Sequence, residues 1–511
     1  MNHLKSTRFR ELQTIIILMI GTVLSKVLGF VRELIVAYRF GAGVISDAFV
    51  LTNGIPGILF SAIGVAISIN FIPCCSKLTL DSDRDYFTSN LLNLLLIILL
   101  FGCILVCLFP RYVLIIFASG LNQETERYAI VMLRIVVFSI IPIVCTSLLQ
   151  AYNQMKNEFV TTSIQGIVVN ICIIIFTFLS NNDTYFILSI GLLFGNFIGM
   201  FLSIGAAHKN NFTYSFVLQP NDSTIKCLIL LTIPLLAESV ISNLCLLADR
   251  QFASYLDSGT ISGLSYAGNL ANIAGTMITS SIVTTTYPKF SKMLVSENYD
   301  SFSDEFVKYA LIICYILTPV SMFMCFNAED IVTLLFEHGE FSSSATKIVS
   351  ESLICYSIGV LPMGLLAYLI RGFYVMNDTK TPVKIQVLAL SSNIIMNFIT
   401  VKYFLHIGIA LSTSCSYFLS CVLLLFSLRR KRVIRKLSRI TYNAGIAIFF
   451  SCILLVILNY YFSFLFFKYL ILKIIVEGML FFLFYGIVIL ILRRSVFYRI
   501  INMIKNLFKK E

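Results

Sequence analysis

The sequence predicts an all-α polytopic membrane protein of about 14 transmembrane helices, each near the ~20 residues that cross a bilayer. Three observations carry this prediction. Apolar residues make up 58% of the 511-residue chain and charged residues only 13%, against roughly 25% in soluble proteins. The apolar residues form repeated stretches of spanning length. Lysine and arginine concentrate in alternate gaps, which is the pattern that orients membrane proteins. The function therefore lies within or across a membrane.

The apolar stretches define the spans in order along the chain. We expect them at 13–37, 47–73, 88–109, 128–151, 160–180, 184–206, 226–249, 262–287, 306–327, 348–375, 383–402, 407–428, 441–462 and 469–492. The first stretch leads straight into a second, which argues against a cleaved signal peptide. The polar gaps are too short for a sizeable extramembrane enzyme domain, so we expect no enzyme.

The charged gaps predict the topology, with both termini in the cytoplasm. The basic gaps carry Lys77, Arg84, Lys156, Lys209, Lys289, Lys292 and Lys380. The alternate gaps carry Glu124, Glu126, Asp183, Asp257, Glu329, Asp330, Glu337 and Glu340. The formal net charge of +12 comes largely from clusters that directly follow spans, including seven Lys or Arg among residues 429–439. These clusters are typical of anchors on anionic lipid, so we expect no nucleic-acid partner.

An internal repeat predicts the domain organisation. The segment RELIVAYRFGAGVIS (Arg32–Ser46) resembles RQFASYLDSGTIS (Arg250–Ser262), and LQAYNQMKNEF (Leu149–Phe159) resembles RGFYVMNDTKTP (Arg371–Pro382). Both pairs keep the same order at nearly the same offset. We therefore expect two pseudo-symmetric six-helix lobes, residues 1–215 and 216–432, followed by a helix pair with a basic tail in residues 433–511. Such repeats are common in alternating-access transporters.

Cysteine and histidine usage argues against a metal site. The 14 cysteines mostly lie in apolar stretches and form no CxxC pair, and the four histidines form no HExxH motif. Cysteine in this setting is usually a small core residue. We expect no metal and no cofactor.

Polar residues inside the spans are the candidate functional residues, because each is costly unless it faces a cavity or a partner. The candidates are Lys26, Arg32, Asp47, Asn53, Arg134, Glu238, Asn243, Asp249, Arg250, Asn269, Asn272, Arg371 and Glu477. Asn269 and Asn272 are three residues apart and share one helical face.

Four of these residues, Glu238, Asp249, Arg250 and Arg371, have structural interpretations as gating, capping or ion-pair residues, and Arg371 is also placed to reach the cytoplasmic surface. Lys26 and Arg32 differ from them. They lie six positions apart on a helix with glycines, and Arg32 has either Asp47 or Glu33 as a potential partner. We interpret Lys26 and Arg32 as contacts for an anionic substrate.

At these residues the chain resembles a known family. GTVLSKVLGFVRELIVAYRFGAGVISDAF (Gly21–Phe49) is similar to the opening signature of the MurJ (MviN) lipid II flippases in the MOP exporter superfamily. Further similar motifs follow in the family's order: SGTISGLSYAGNL (Ser258–Leu270), LLFEHGEFSSS (Leu334–Ser344) and RGFYVMNDTKTPVKI (Arg371–Ile385).

The resemblance implies a flippase in the inner membrane of a bacterium, which carries an undecaprenyl-diphosphate-linked peptidoglycan precursor from the inner to the outer leaflet. The head group would pass through a central cavity formed with Lys26, Arg32, Asp47, Asn53, Asn269 and Asn272. The lipid tail would stay in the bilayer, along a groove of the last two spans. Membrane lipids, and enzymes of cell-wall or capsule assembly, are the implied partners. Coupling to the membrane potential or to a monovalent counter-ion stays open.

The chain also departs from the family's pattern. Nothing basic follows Asp47 in the second span, and Asn269 and Asn272 stand where the family has an arginine and an acid. Several alternatives therefore stay open. The chain could be a flippase for another polyprenyl-linked glycan, such as a capsule, O-unit or teichuronic-type repeat, or a MATE-like small-molecule antiporter. A membrane glycosyltransferase or glycan polymerase, and a structural scaffold of a cell-wall or capsule assembly complex, are the alternatives from other classes.

Overall fold

Every secondary-structure element in the described part of the chain is helical. The computed structural model describes residues 2–57, 62–156, 158–296, 299–376, 378–430, 449, 453–457 and 470–492. Its helices are α1 (Asn2–Phe40), α2 (Val44–Pro56), α3 (Ala62–Cys75), α4 (Asp81–Leu108), α5 (Pro110–Phe117), α6 (Gln123–Val136), α7 (Ile140–Met155), α8 (Val160–Leu179), α9 (Ile187–Lys209), α10 (Ser223–Ala253), α11 (Thr260–Val295), α12 (Tyr299–Phe326), α13 (Ala328–Phe336), α14 (Ser343–Val375), α15 (Lys380–Arg430) and α16 (Leu470–Leu492).

The helices confirm an all-α membrane fold. Eight of the described helical segments are long and apolar enough to cross a membrane. α15 contains the two spans predicted at 383–402 and 407–428, because its backbone leaves the helical region at Leu405 (φ 49°, ψ −127°). The span predicted at 441–462 lies almost wholly outside the described residues. The count of 14 therefore stays a prediction.

The helix starts repeat along the chain. α12 and α13 follow α4 and α5 at one identical offset, and α14 and α15 follow α6 and α8 at an offset only slightly longer. The turns that follow α7 and α14 also match. The amide of Glu158 donates to the carbonyl oxygen of Asn153 at 2.9 Å, and that of Asp378 donates to Phe373 at 3.0 Å. The internal repeat read from the sequence is therefore visible in the local structure.

The chain forms two compact units. Unit 1 contains Met1–Ser262 and the short segment His338–Ser342, and unit 2 contains Gly263–Glu337 and Ser343–Glu511. Unit 1 includes α10, which packs against α3 and α5. The predicted lobe boundary at 215/216 describes the sequence repeat, and it stays a prediction.

Each unit has its own core of apolar side chains. In unit 2 the aromatic rings of Phe290, Phe306 and Tyr368 pack with centroids 4.7–6.3 Å apart, and the Tyr368 hydroxyl donates to the carbonyl oxygen of Phe306 at 2.9 Å. In unit 1 the cores lie around Phe71 and Phe117. Cores of this kind hold the helices that carry the polar candidates.

A polar strap connects α9 to α10 within unit 1. The extended residues 213–219 run along α4, where Asn90 accepts from the Gln219 amide at 2.8 Å and Asn93 donates to the Val217 carbonyl at 3.0 Å. Asp85 accepts from the amide and hydroxyl of Thr213 at 2.9 and 2.8 Å. Side chains of α4 thus satisfy backbone groups of the strap that have no helical partner.

Candidate functional site

Arg32 lies where α1 packs against α8, with about a fifth of its side chain exposed. Its guanidinium donates to Asn170 Oδ1 at 3.1 Å and pairs with Glu33 at 3.2 Å. Asn170 is itself oriented, because its Nδ2 donates to the carbonyl oxygens of Ser25 and Gly166 at 3.1 and 2.8 Å. Of the two partners left open by the sequence, Glu33 is the one that the structure brings to Arg32.

Lys26 is exposed on the same helix, six residues or about one and two-thirds turns before Arg32. Small residues let α1 and α8 approach closely on the N-terminal side of Lys26, where a Cβ added at Gly21 would lie 2.5 Å from the Cβ of Ser163. The two cations therefore have different settings. The charge of Lys26 is exposed, and that of Arg32 is partly neutralised but still reachable.

Asp47 is buried at the start of α2, with 3% of its surface exposed. Its carboxylate accepts from the Gly259 amide at 2.6 Å, the Ser262 amide at 2.7 Å and the Ser262 hydroxyl at 2.6 Å. Gly259 directly precedes α11, so Asp47 caps the first turn of a helix that lies far along the chain. A carboxylate is stabilised there by the free amides and by the helix dipole.

Three glycines with positive φ gather around this cap. They are Gly41 (φ 62°), Gly259 (φ 92°) and Gly339 (φ 65°), which come from three separate motifs. A Cβ at Gly41 would lie 2.5 Å from the carbonyl oxygen of Glu340, whose own amide donates to the Tyr38 carbonyl at 3.0 Å. A side chain would be strained at each position and would also collide with backbone. Glycine is therefore required at each of these positions by the backbone conformation where the three segments meet. We call this contact the glycine closure and define it as residues 38–47, 257–262 and 338–341.

Arg250 is the second cation of unit 1 with an unusual setting. Its Nη1 atom is buried and has no hydrogen-bond partner among the described residues. A Cβ at Gly54 would overlap the guanidinium, so the glycine on α2 leaves the space that Arg250 of α10 occupies. No ion pair of Arg250 is present in the described part of the chain, although capping and pairing were the roles expected from the sequence.

The other predicted site residues are placed as follows. Asn53 is half-buried on α2 in unit 1, and Asp249 is half-buried on α10. On the part of α11 that belongs to unit 2, Asn269 is half-buried and Asn272 is exposed. Arg371 is exposed near the end of α14, and its guanidinium carbon lies 5.9 Å from the Tyr374 ring centroid. Glu238 lies in α10, in a stretch whose side chains are outside the described set.

Unit 1 therefore holds the predicted cations Lys26, Arg32 and Arg250 together with Asp47, whereas Asn269 and Asn272 belong to unit 2. Cationic side chains can bind an anion through charge-assisted hydrogen bonds without breaking a bond in it. Among the described residues no three His, Cys, Asp or Glu side chains cluster as metal ligands.

Sequence reasoning missed three contributors: Asn170, Ser262 and Gly54. Asn170 had a usable signal, because it is an amide within an apolar helix. Ser262 had only its place in a motif, since its partner Asp47 lies 215 positions earlier in the chain. Gly54 had none, because the close approach of Arg250 follows from packing alone.

Comparison with known proteins assigns the chain to a family. The sequence profile described as "Lipid II flippase MurJ" matches residues 36–480. A relative from Burkholderia cenocepacia named "Lipid II flippase MurJ" is 25% identical over 81% of this chain and 82% of its own length. A relative from Buchnera aphidicola subsp. Baizongia pistaciae, named "Probable lipid II flippase MurJ", is 30% identical over 81% of this chain and 82% of its own.

Solved structures agree with the sequence relatives. One described as "Lipid II flippase MurJ, inward closed conformation" superposes with a TM-score of 0.80 at 27% identity, covering 93% of this chain and 99% of the other. An inward-facing multidrug resistance MATE transporter of the MOP superfamily gives a TM-score of 0.67 at 11% identity, covering 84% and 99%. At that identity the second likeness concerns the fold alone.

Proposed function

Because the chain belongs to the family of MurJ lipid II flippases, we propose that it moves lipid II from the inner to the outer leaflet of the bacterial cytoplasmic membrane by alternating access. The observation that carries the proposal is the family match over residues 36–480. The chain is a transporter and not an enzyme, since a flippase moves its substrate without changing a bond. Peptidoglycan synthesis outside the membrane would consume the product.

The cations of unit 1 suit the diphosphate of the substrate. Lys26 is exposed, Arg32 keeps an exposed edge, and Arg250 has a buried nitrogen without a partner in the described residues. Guanidinium groups bind phosphate oxygens in pairs, and each such bond is strengthened by charge. We place Lys26 and Arg32 as head-group contacts. Arg250 supplies cationic charge at α2, where the sequence itself has no basic residue after Asp47.

The membrane potential favours this direction of transport. In the proposed topology the N- and C-termini lie in the cytoplasm. The membrane potential is negative on that side, so an anion that crosses the whole field outward gains ~2.3 kcal/mol per charge per 100 mV. Cations that moved with the substrate would reduce that gain. In this topology the glycine closure lies at the outer face, and the tail of the lipid follows the C-terminal helices.

Two other functions stay as outcomes of the test. Relatives named for lipid II at 25–30% identity favour lipid II over another polyprenyl-linked glycan. The likeness to MATE transporters at 11% identity supports the shared fold and gives no reason to propose a drug substrate. Assembly enzymes of the cell wall stay proposed partners, because lipid II passes to them.

The test is complementation of bacteria depleted of their own lipid II flippase. We expect the chain to restore growth and Arg32→Ala to lose that rescue, because the variant leaves Asn170 without its cationic partner and removes a phosphate contact. Arg39→Ala is the matched control on the same helix: the Arg39 side chain donates to the Ser180 carbonyl at 2.9 Å, at the helix end. We expect Arg39→Ala to keep the rescue.

Membrane levels of all three proteins are measured by immunoblot. Rescue by both variants would contradict the role of Arg32 while leaving lipid II as substrate. A chain that is present in the membrane and never rescues would contradict lipid II transport. Rescue in a strain that lacks a capsule or O-unit flippase would then identify the other glycan.

A further inference from the structure

Glu477 is a carboxylate that the C-terminal helix α16 buries completely. Its exposed fraction is 0%, and neither carboxylate oxygen has a hydrogen-bond partner of good geometry among the described residues. An ionised carboxylate in such a place has lost its water and gained no well-placed donor, which costs several kcal/mol. Buried carboxylates in proteins are normally paired or bound to a ligand.

The side chain of Asn327 faces Glu477 from the junction of α12 and α13. Asn327 is 1% exposed, and its Oδ1 atom is also buried without a donor in the described part of the chain. Its Nδ2 donates to the Phe323 carbonyl at 3.3 Å, which orients the amide. A carboxylate and an amide therefore share one buried site, in which the approach of the Asn327 amide to Glu477 falls short of good hydrogen-bond geometry.

Two charged residues adjoin this site. Lys473 lies one turn before Glu477 on α16, and its Nζ is 2.5 Å from Asp330 Oδ2 in the first turn of α13. Lys473 and Asp330 balance each other, so an ionised Glu477 leaves one net negative charge. Of their side chains, 15% and 25% are exposed, so the pair connects the buried carboxylate to the surface.

Among the described residues, the remaining surroundings of Glu477 are apolar. From α12, Phe323 stacks on Phe481 with ring centroids 6.0 Å apart, and Leu455 is fully buried beside Phe481. The charged or polar groups that act on Glu477 from the described elements packed against it are Lys473, Asp330 and Asn327. A low-dielectric setting with one unbalanced charge strongly favours a bound cation.

We propose that Glu477 is a proton-binding site, loaded from water through the Asp330–Lys473 pair, and that its proton exchange is coupled to the lipid transport proposed above. One proton converts the carboxylate to a carboxylic acid, whose O–H can donate to Asn327 Oδ1. No other bond forms or breaks. A hard metal cation would take roughly six oxygen ligands, whereas Glu477 and Asn327 offer three between them.

The proton biases the contact between α16 and α12. With Glu477 neutral, the helices pack around the rings of Phe323 and Phe481, and a Cβ at Gly478 would be 3.3 Å from the Phe323 ring. With Glu477 ionised, the buried charge favours an arrangement that admits water. Proton occupancy thus distinguishes two states of the C-terminal helix, which is the requirement for coupling.

Infrared spectroscopy of the purified protein tests the proton directly and needs no substrate. We expect a protonated-carboxyl band at neutral pH that disappears in Glu477→Gln. Glu305→Gln is the matched control, because Glu305 of α12 is already paired with Lys289 and Lys308 at 2.6 and 2.7 Å. It should keep the band. An identical spectrum in wild type and Glu477→Gln would overturn the proposal, whatever the substrate.

Lipid II flipping in proteoliposomes tests the coupling. At constant membrane potential, we expect the wild-type rate to change with a pH gradient, and the rate of Glu477→Gln to be the same with and without it. A pH response retained by the variant, or a response to a sodium gradient in place of the pH gradient, would refute proton coupling. Absence of lipid II flipping in every protein would instead contradict the proposed function and leave the infrared result standing.

Discussion

Replacing Asp47 by asparagine removes the charge that closes residues 257–262 onto α2. The carboxylate accepts three hydrogen bonds of 2.6–2.7 Å from Gly259 and Ser262. An asparagine keeps one acceptor oxygen and turns an NH₂ group toward amide donors. Hydrogen bonds to charged groups contribute roughly 1.5–3 kcal/mol each. We expect the closed arrangement to lose about 3 kcal/mol, on the order of a 100-fold change in the ratio of closed to open molecules.

Thiol accessibility measures this ratio. Thr260 is 3% exposed at the start of α11, so a cysteine introduced there is reached only when the glycine closure opens. We expect a membrane-impermeant maleimide, added from outside, to label Thr260→Cys roughly 100-fold faster when Asp47→Asn is also present, because labelling follows the open population. The described native cysteines are buried or half-buried, and the chain without the added cysteine gives the background.

Ser262→Ala provides a graded comparison. It removes one of the three hydrogen bonds to the carboxylate and no charge. At about 1.5 kcal/mol for that bond, we expect an increase in labelling on the order of tenfold. An unchanged labelling rate of Thr260→Cys in the presence of Asp47→Asn, or a larger effect of Ser262→Ala, would refute this role of Asp47. Equal amounts of folded protein, checked by gel filtration, exclude general unfolding as the cause.

Two further predictions concern glycines of unit 1. Gly259→Ala places a Cβ in a backbone with φ 92° and 2.5 Å from a neighbouring carbonyl oxygen, so we expect a loss of roughly 1–3 kcal/mol, seen as a lower melting temperature. An unchanged melting temperature would contradict the strain. Gly54→Ala displaces the Arg250 guanidinium, and we expect the double variant Gly54→Ala/Arg250→Ala to be more stable than additivity predicts, by roughly 0.5–3 kcal/mol. Additive melting data would mean that the two residues are not in contact.

The helices and their repeat could be predicted from the sequence because hydropathy directly reflects the membrane. The predicted spans 160–180 and 469–492 agree closely with α8 (Val160–Leu179) and α16 (Leu470–Leu492). The segments between the spans were harder to predict from the sequence. Residues 328–336, expected within a charged loop, form the short helix α13, whose acidic first turn pairs with Lys473 far along the chain. No local pattern reports a contact of that separation.

Polar residues in spans were the weakest part of the prediction. The rule that such residues are functional identified Asp47, but its partners at 259 and 262 could not be foreseen. The same rule would select Asn90 and Asn93, which bind the strap between α9 and α10. A polar side chain in an apolar helix marks a need for hydrogen bonds. Whether backbone, substrate or ion meets that need depends on residues far along the chain.

Unit 1 is discontinuous, and this has a consequence for its synthesis. The segment His338–Ser342 completes the unit, although the stretch Gly263–Glu337, which belongs to unit 2, precedes it in the chain. The ribosome makes a protein from its N-terminus, and domains generally fold in that order. Here Gly41 packs against the backbone of Glu340, which is synthesised much later. The first half of the protein therefore cannot finish folding until about two thirds of the chain has emerged. Folding of unit 1 thus depends on synthesis of part of unit 2. A nascent chain arrested before residue 338 would have its first spans in the bilayer but would lack the segment that completes the glycine closure.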